Sequence, residues 1–337
     1  MTITAKQVTD HLDALAKPQG SMGRLEELAV ALAVAQQNLR PQTKPRRLVL
    51  FAGDHGVVES GVSAWPSVVT TAMIETILAK KATSSALATT QSVDLRLVDT
   101  GSINPATNGK ESPTFSDARI AAGTADLSKG PAMTKDQFHA AWDIGKVEAR
   151  RALDEGSVLL MAGEMGIGNT TPAACLTMLL ASADAGNAVG RGAGAGDAVL
   201  AKKRDIVAGA TERSVGLLAV DPVAAIAGIA GFEIAAIAGY YAQAADQGST
   251  ILLDGYVTTA AALIAERLQP GTSRRMIAAH LSAEPGHRVA LDHLDLQPLL
   301  EWDMRLGEGT GALTALPLLD SAAALLNDVA KLSDIMP

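Results

Sequence analysis

Aromatic side chains are scarce in this sequence, at 3% of the chain against 48% hydrophobic residues overall. A core has to be assembled from Ala, Val, Leu and Ile, and the stacking platforms of single-stranded nucleic-acid binders have little raw material. Basic residues are also in deficit. Lys plus Arg number 28 and Asp plus Glu 36, a formal net charge of −8, and the densest basic groups are Arg46-Arg47, Lys202-Lys203-Arg204 and Arg274-Arg275. Nucleic acid and anionic membranes both demand clustered positive charge, so neither partner is expected. The single cysteine, Cys175, permits no internal disulfide and favours a reducing, cytoplasmic setting. Met1 to Lys17 carries Asp10 and Asp13 and has no apolar secretory core. One long apolar stretch, Pro222 to Ala242, has Glu233 at its centre and no basic flank. It reads as a buried helix, whose Gly228, Gly231 and Gly239 let a neighbouring backbone approach closely.

What is present is a regular alternation. Short apolar runs recur, each followed by an acid: Leu48 to Ala52 before Asp54, Leu95 to Val98 before Asp99, Val158 to Met161 before Glu164, Ile251 to Leu253 before Asp254, and Met276 to Leu281 before Glu284. Helical patterns lie between them, at Ser67 to Thr89, Lys135 to Glu155, Pro172 to Ala183 and Val257 to Leu268. Such alternation specifies an α/β fold with a mostly parallel sheet covered on both faces. Ligands bind at the carboxyl ends of such strands, so the five acids are expected along one edge of the molecule. Taken singly, each fits equally well as a helix cap or turn former. Both chain ends are helical, with Leu313 to Leu319 and Ala322 to Leu332 closing the sequence. The expected division is a small helical domain from 1–42 plus 298–337 and a Rossmann-like nucleotide-binding domain over 43–297.

Four local patterns could carry chemistry. Gly163-Glu164-Met165-Gly166-Ile167-Gly168-Asn169-Thr170-Thr171-Pro172 follows a strand and opens a helix, with Thr171 as expected N-cap and Pro172 as first helical residue. Its glycines, hydroxyls and helix N-terminus suit a phosphate, and suit a structural strand-helix turn as well. Gly190-Arg191-Gly192-Ala193-Gly194-Ala195-Gly196 does not match a dinucleotide fingerprint, which leaves a flexible loop or a second ligand loop in which Arg191 or Lys203 meets an anion. Asp54 and His55, with His280, Glu284 and His287, raise the question of a metal, but Pro285-Gly286 interrupts any helix that would align them and no metal site is expected. Glu308, between Gly307 and Gly309 and just before a helix, sits where a carboxyl can be shielded from water and serve as a general base, or simply cap the helix.

Together these patterns closely resemble the nicotinate-nucleotide:dimethylbenzimidazole phosphoribosyltransferase family. The resemblance runs from Lys17-Pro18-Gln19-Gly20-Ser21-Met22-Gly23-Arg24-Leu25-Glu26 through Gly53-Asp54-His55-Gly56-Val57 and the segment from Gly163 to Pro172. It continues over Gly231-Phe232-Glu233, Leu253-Asp254-Gly255, His280 to His287 and Met304-Arg305-Leu306-Gly307-Glu308-Gly309-Thr310-Gly311. It implies a doubly wound α/β domain with a small helical domain, working as a homodimer without cofactor or metal. The implied reaction moves 5-phosphoribose from nicotinate mononucleotide to 5,6-dimethylbenzimidazole or a related base. Glu308 matches the general base and Glu164 a second catalytic glutamate. Gly166, Gly168, Asn169, Thr170, Gly190, Gly192, Lys203, Asp254 and Ser282 fall to the nucleotide. Trp65, Pro66, Met73 and Leu306 fall to the acceptor base. The competing reading is a metal-dependent phosphohydrolase using Asp54, His55, His280 and His287; a nucleotide-sensing dimer without turnover is a third.

Overall fold

Strand β1 (Arg46–Gly53) is buried at every position, and its side chains divide by the two-residue period of a strand. Leu48, Leu50 and Ala52 enter one apolar core, while Val49 and Phe51 enter another on the opposite face. A strand loaded on both sides belongs in the interior of a parallel sheet. With β2 (Asp94–Gly101), β3 (Phe115–Asp117), β4 (Leu159–Met165), β5 (Thr250–Leu253) and β6 (Met276–Ala278) it forms a six-stranded sheet ordered β3-β2-β1-β4-β5-β6. Every pair is parallel. This is the doubly wound order, and its direction reverses between β1 and β4, where such sheets leave a crevice at their carboxyl ends. The structure, a computed structural model, describes residues 2–106, 111–192, 194 and 196–335; Ala193 and Ala195 of the glycine loop lie outside the described residues.

The Leu48 face is covered by helices from both chain ends. Ala5–Asp13, Arg24–Gln36 and Thr310–Asp328 pack together and against the sheet. Lys135–Asp154 and Phe232–Asp246 lie against each other on the other face. Their contact is backbone to backbone, because a Cβ on Gly239 would strike the Trp142 backbone and one on Gly145 the carbonyl of Ala236.

Several elements differ from what the sequence pattern predicts. The sheet has a sixth strand, β3, whose three residues at the edge are too few for a periodic signal, and β6 stops at Ala278. The helix expected from Ser67 to Thr89 is two, Val68–Leu78 and Thr83–Thr90, interrupted where Lys80 takes a φ of 58°. The apolar stretch from Pro222 is likewise two helices, Pro222–Ala227 and Phe232–Asp246, with Gly228 and Gly231 at the break. At the C-terminal end one helix, Thr310–Asp328, runs through Pro317. Among the described residues no helix is long and apolar enough to cross a membrane.

Candidate active site

Beyond the end of β4 the chain turns through Gly166 to Asn169 into the helix Thr170–Ala181. That helix starts two residues before Pro172, which therefore occupies its third position; the first turn leaves backbone N–H groups without intrahelical partners, so proline costs no bond there. Asn169 takes the N-cap position, but its side chain does not cap. Its Nδ2 donates to Oε2 of Glu164. Over this turn, at the carboxyl ends of β4 and β5, lies a cleft of about 690 Å³, a size suited to small substrates.

One part of the cleft is polar and cationic. Lys203 is 1% exposed, and its Nζ donates to Thr170 Oγ1 at 2.7 Å and to the Gly190 carbonyl at 3.2 Å. Burial lowers this ammonium to a pKa of about 8, against the opposing pull of Glu284. Glu284 accepts from the Gly192 N–H at 2.9 Å, and the Gly192 carbonyl accepts from Arg305 Nη1 at 3.0 Å. The glycine loop at Gly192 is thereby tied to the segments carrying Glu284 and Arg305.

Glu308 stands at the carboxyl-rich part. Gly307, Glu308 and Gly309 have φ of 87°, 58° and 74°, three successive residues in the left-handed region. Glycine adopts it freely, whereas a glutamate there is strained, a condition that persists only where the surroundings enforce it. The enforcing contacts are visible. A Cβ on Gly163 would lie 2.6 Å from the Glu308 carbonyl carbon, so the turn rests directly on β4. Asp254, just beyond β5, accepts from the N–H groups of Gly309 at 3.1 Å, Gly311 at 2.7 Å and Ala312 at 3.1 Å. Ser84 donates its hydroxyl hydrogen to Glu308 Oε2. Burial raises the Glu308 pKa above the ordinary carboxyl range, with the Ser84 bond opposing.

Glu164 lies against the same turn, since a Cβ on Gly307 would collide with its Oε1. Burial first, then the charges of Asp254 and Glu233, push its carboxyl up to about 8, although the bond from Asn169 opposes. Burial raises Asp254 as well, against His280 and the three N–H donors. The lining also includes apolar side chains, Val62, Trp65, Val69, Met73, Met165 and Leu306.

The structure brings together most of the residues singled out from the sequence. Glu308, Glu164, Gly166, Gly168, Asn169, Thr170, Gly192, Lys203, Asp254, Ser282, Trp65, Met73 and Leu306 all line the cleft. Gly190 lies behind the lining as an acceptor for Lys203, and Pro66 is outside it and exposed. Of the five acids that follow strands, Glu164, Asp254 and Glu284 reach the cleft. Asp99 instead accepts from the N–H groups of Gly101 and Ser102, and Asp54 from the Ile103 N–H and the Thr70 hydroxyl. Asp99 is thus a turn former, as the simpler reading of such acids has it, whereas Asp54 holds two segments distant in the chain.

Of the histidines singled out from the sequence, His280 lines the cleft, while His55 and His287 are engaged in contacts outside it. His287 accepts the Ser282 N–H at Nδ1 while Nε2 faces Thr259 Oγ1 at 2.9 Å, and burial holds its pKa well below the ordinary value. His55 faces Glu233. Among the described residues no group of three or more His, Cys, Asp or Glu is placed to hold a metal ion. Sequence reasoning missed Ser84, which is 224 positions from its partner and has no local signal. It also gave Arg305 no role, though Arg305 belongs to the Met304 motif.

A profile of the phosphoribosyltransferase family matches residues 2–335. The nicotinate-nucleotide–dimethylbenzimidazole phosphoribosyltransferase of Pseudomonas putida strain KT2440 is 42% identical over 320 residues, which cover 95% of this chain and 90% of that protein. Its namesake from Thermus thermophilus is 41% identical over 316 residues, covering 94% and 93%. The crystal structure of CobT from Thermus thermophilus superposes with a TM-score of 0.92 at 40% identity, covering 98% of this chain and 97% of that one.

Proposed function

The chain belongs to the nicotinate-nucleotide–dimethylbenzimidazole phosphoribosyltransferase family, and from that membership we propose how its cleft carries out the family's reaction in cobalamin biosynthesis. The reaction transfers 5-phosphoribose from nicotinate mononucleotide to 5,6-dimethylbenzimidazole, giving nicotinate and α-ribazole 5′-phosphate.

Lys203, Thr170 and the turn from Gly166 to Asn169 hold the phosphoribosyl group. A phosphate dianion beside Lys203 restores the full charge of an ammonium that burial otherwise weakens. The apolar lining from Val62 to Leu306 takes the flat acceptor base. Glu308 is the general base. As one ring nitrogen of the acceptor gives its lone pair to the anomeric carbon, the N–H on the other becomes acidic, and Glu308 removes that proton. The glycosidic bond breaks with its electron pair going to the pyridinium nitrogen, so nicotinate leaves without acid assistance.

The observation that carries this assignment is a carboxyl that lines the cleft yet is 3% exposed. Burial moves its pKa toward the working pH, which is what efficient proton removal asks of a base. Glu164, held largely protonated near neutral pH by burial, is drawn back toward its ionised form when a pyridinium ribotide brings positive charge into the cleft. It then stabilises the charge developing on the ribose. Asp254 serves the same centre by fixing the Glu308 turn.

The helical unit of 1–42 with 298–337, the α/β unit of 43–297, a homodimeric assembly and a cytoplasmic location complete the proposal. The packing of Ala5–Asp13, Arg24–Gln36 and Thr310–Asp328 supports the first. Incubating the purified protein with nicotinate mononucleotide and dimethylbenzimidazole, with detection of the ribotide by mass, tests the reaction. Absence of the product at saturating substrates overturns it.

A further inference from the structure

Two of the motifs that have no part in the reaction lie side by side: Gly53-Asp54-His55-Gly56 at the end of β1 and Gly231-Phe232-Glu233 at the start of the helix Phe232–Asp246. Both are buried under the turn that follows β4. His55 Nε2 faces Glu233 Oε1 at 2.9 Å, with the two side chains 1% and 0% exposed. The pair lies directly beneath Gly166, since a Cβ there would come within 3.2 Å of His55 Nε2 and would collide with the Gly53 carbonyl. Glu233 occupies the first turn of its helix, where the N-terminal dipole favours a carboxylate.

A second support comes from Asp54. Its Oδ1 accepts the Thr70 hydroxyl hydrogen at 2.6 Å, which leaves the Thr70 oxygen to accept the N–H of Ile167 at 3.1 Å. Asp54 is itself fixed by the Ile103 N–H at 2.8 Å. Thr70 thus sets the plane of the Gly166–Ile167 peptide. The carbonyl of that peptide accepts the Asn169 N–H at 3.2 Å, and Asn169 in turn bonds Glu164. A chain of contacts therefore runs from β1 through the helix Val68–Leu78 to the floor of the cleft.

We propose that Asp54 with Thr70, and His55 with Glu233, are positioning residues for the nucleotide turn: they touch no substrate, and they fix the Gly166–Ile167 peptide from two sides. This rests on the reading that the turn from Gly166 to Asn169 holds the nucleotide. It accounts for buried polar groups at the end of β1 that stand outside the cleft, and it replaces the metal role that Asp54 and His55 suggest in sequence.

The test is steady-state kinetics of four variants in the full-length protein, Thr70→Val, Thr70→Ser, Glu233→Gln and Lys203→Met, with melting curves to confirm folding. Thr70→Val keeps the shape and removes the acceptor of the Ile167 N–H. The KM for nicotinate mononucleotide rises about tenfold, the scale of one buried hydrogen bond left unmade, while the KM for the acceptor stays unchanged. Thr70→Ser restores the wild-type value, which a purely packing role for the threonine methyl does not allow. Glu233→Gln, weakening the His55–Glu233 support, raises the same KM and keeps the question open to experiment if Thr70→Val does not fold. Wild-type nucleotide KM in both Thr70→Val and Glu233→Gln, alongside a raised one in Lys203→Met, overturns the positioning role. Wild-type nucleotide KM in Lys203→Met overturns the nucleotide-turn reading itself, and the proposal with it.

Discussion

The Ser84 hydroxyl lies 2.9 Å from Oε2 of Glu308 and donates its hydrogen to it. Ser84 belongs to the helix Thr83–Thr90, which exists as a separate element because the chain breaks near Lys80. The bond favours the ionised carboxylate, working against burial. In Ser84→Ala the Glu308 pKa climbs further. The acid limb of the kcat/KM profile moves to higher pH, and the rate near neutrality falls by roughly threefold to tenfold, the worth of one such bond. An unmoved limb denies Ser84 this role.

Glu164 gives a stability signature. Its carboxyl goes from an ordinary 4.5 to about 8 in the folded chain, so the folded state binds the proton more tightly than the unfolded one. The stabilisation is complete below the unfolded value and is lost as pH rises through the folded value. Melting temperatures of the ligand-free protein therefore decline from about pH 5 to about pH 8 relative to those of Glu164→Gln, by a few degrees. Parallel curves for the two proteins contradict the burial argument.

Gly307 carries two constraints, a φ of 87° and the carboxyl of Glu164 where a Cβ would stand. Gly307→Ala costs about 1–3 kcal/mol of stability and lowers kcat by displacing Glu308. Gly20, with a φ of 68° but nothing within reach of a Cβ, is the control: Gly20→Ala meets the backbone cost alone and leaves kcat intact. Equal effects on kcat refute the idea that Gly307 serves Glu308.

Trp65 belongs to the apolar lining and is 52% exposed, so an occupant can cover it. Trp65→Ala raises the acceptor KM by about tenfold or more, the scale of losing one large aromatic contact, and leaves the KM for nicotinate mononucleotide unchanged. A reversed pattern reassigns that lining to the nucleotide.

The sheet was legible because strands buried on both faces read as continuous apolar runs, as Leu48 to Ala52 does. The crevice followed from topology, which five of the six strands suffice to define. β3 escaped notice because three edge residues carry no period. Glu308 could be singled out because glycines on both sides of an acid announce an unusual backbone. The contacts of Asp254 with the Glu308 turn could not be read, and the sequence pointed Asp254 to the nucleotide, since its three N–H donors lie at least 55 positions away in the chain. The strand-end acids were ambiguous for a physical reason: a carboxylate after a strand can turn to the cleft, as Glu164 does, or to its own loop, as Asp99 does. Only the packed chain decides which.

The proposed chemistry turns on removal of the acceptor's proton by Glu308. Glu308→Gln keeps the shape and the hydrogen-bond capacity toward Ser84 and loses the base. The decisive measurement is kcat for ribotide formation by this variant at saturating nicotinate mononucleotide and dimethylbenzimidazole. A fall of about 10²–10⁴-fold is expected, the usual contribution of a positioned general base, with both KM values near wild type. Full turnover by Glu308→Gln shows that the proton leaves by another route.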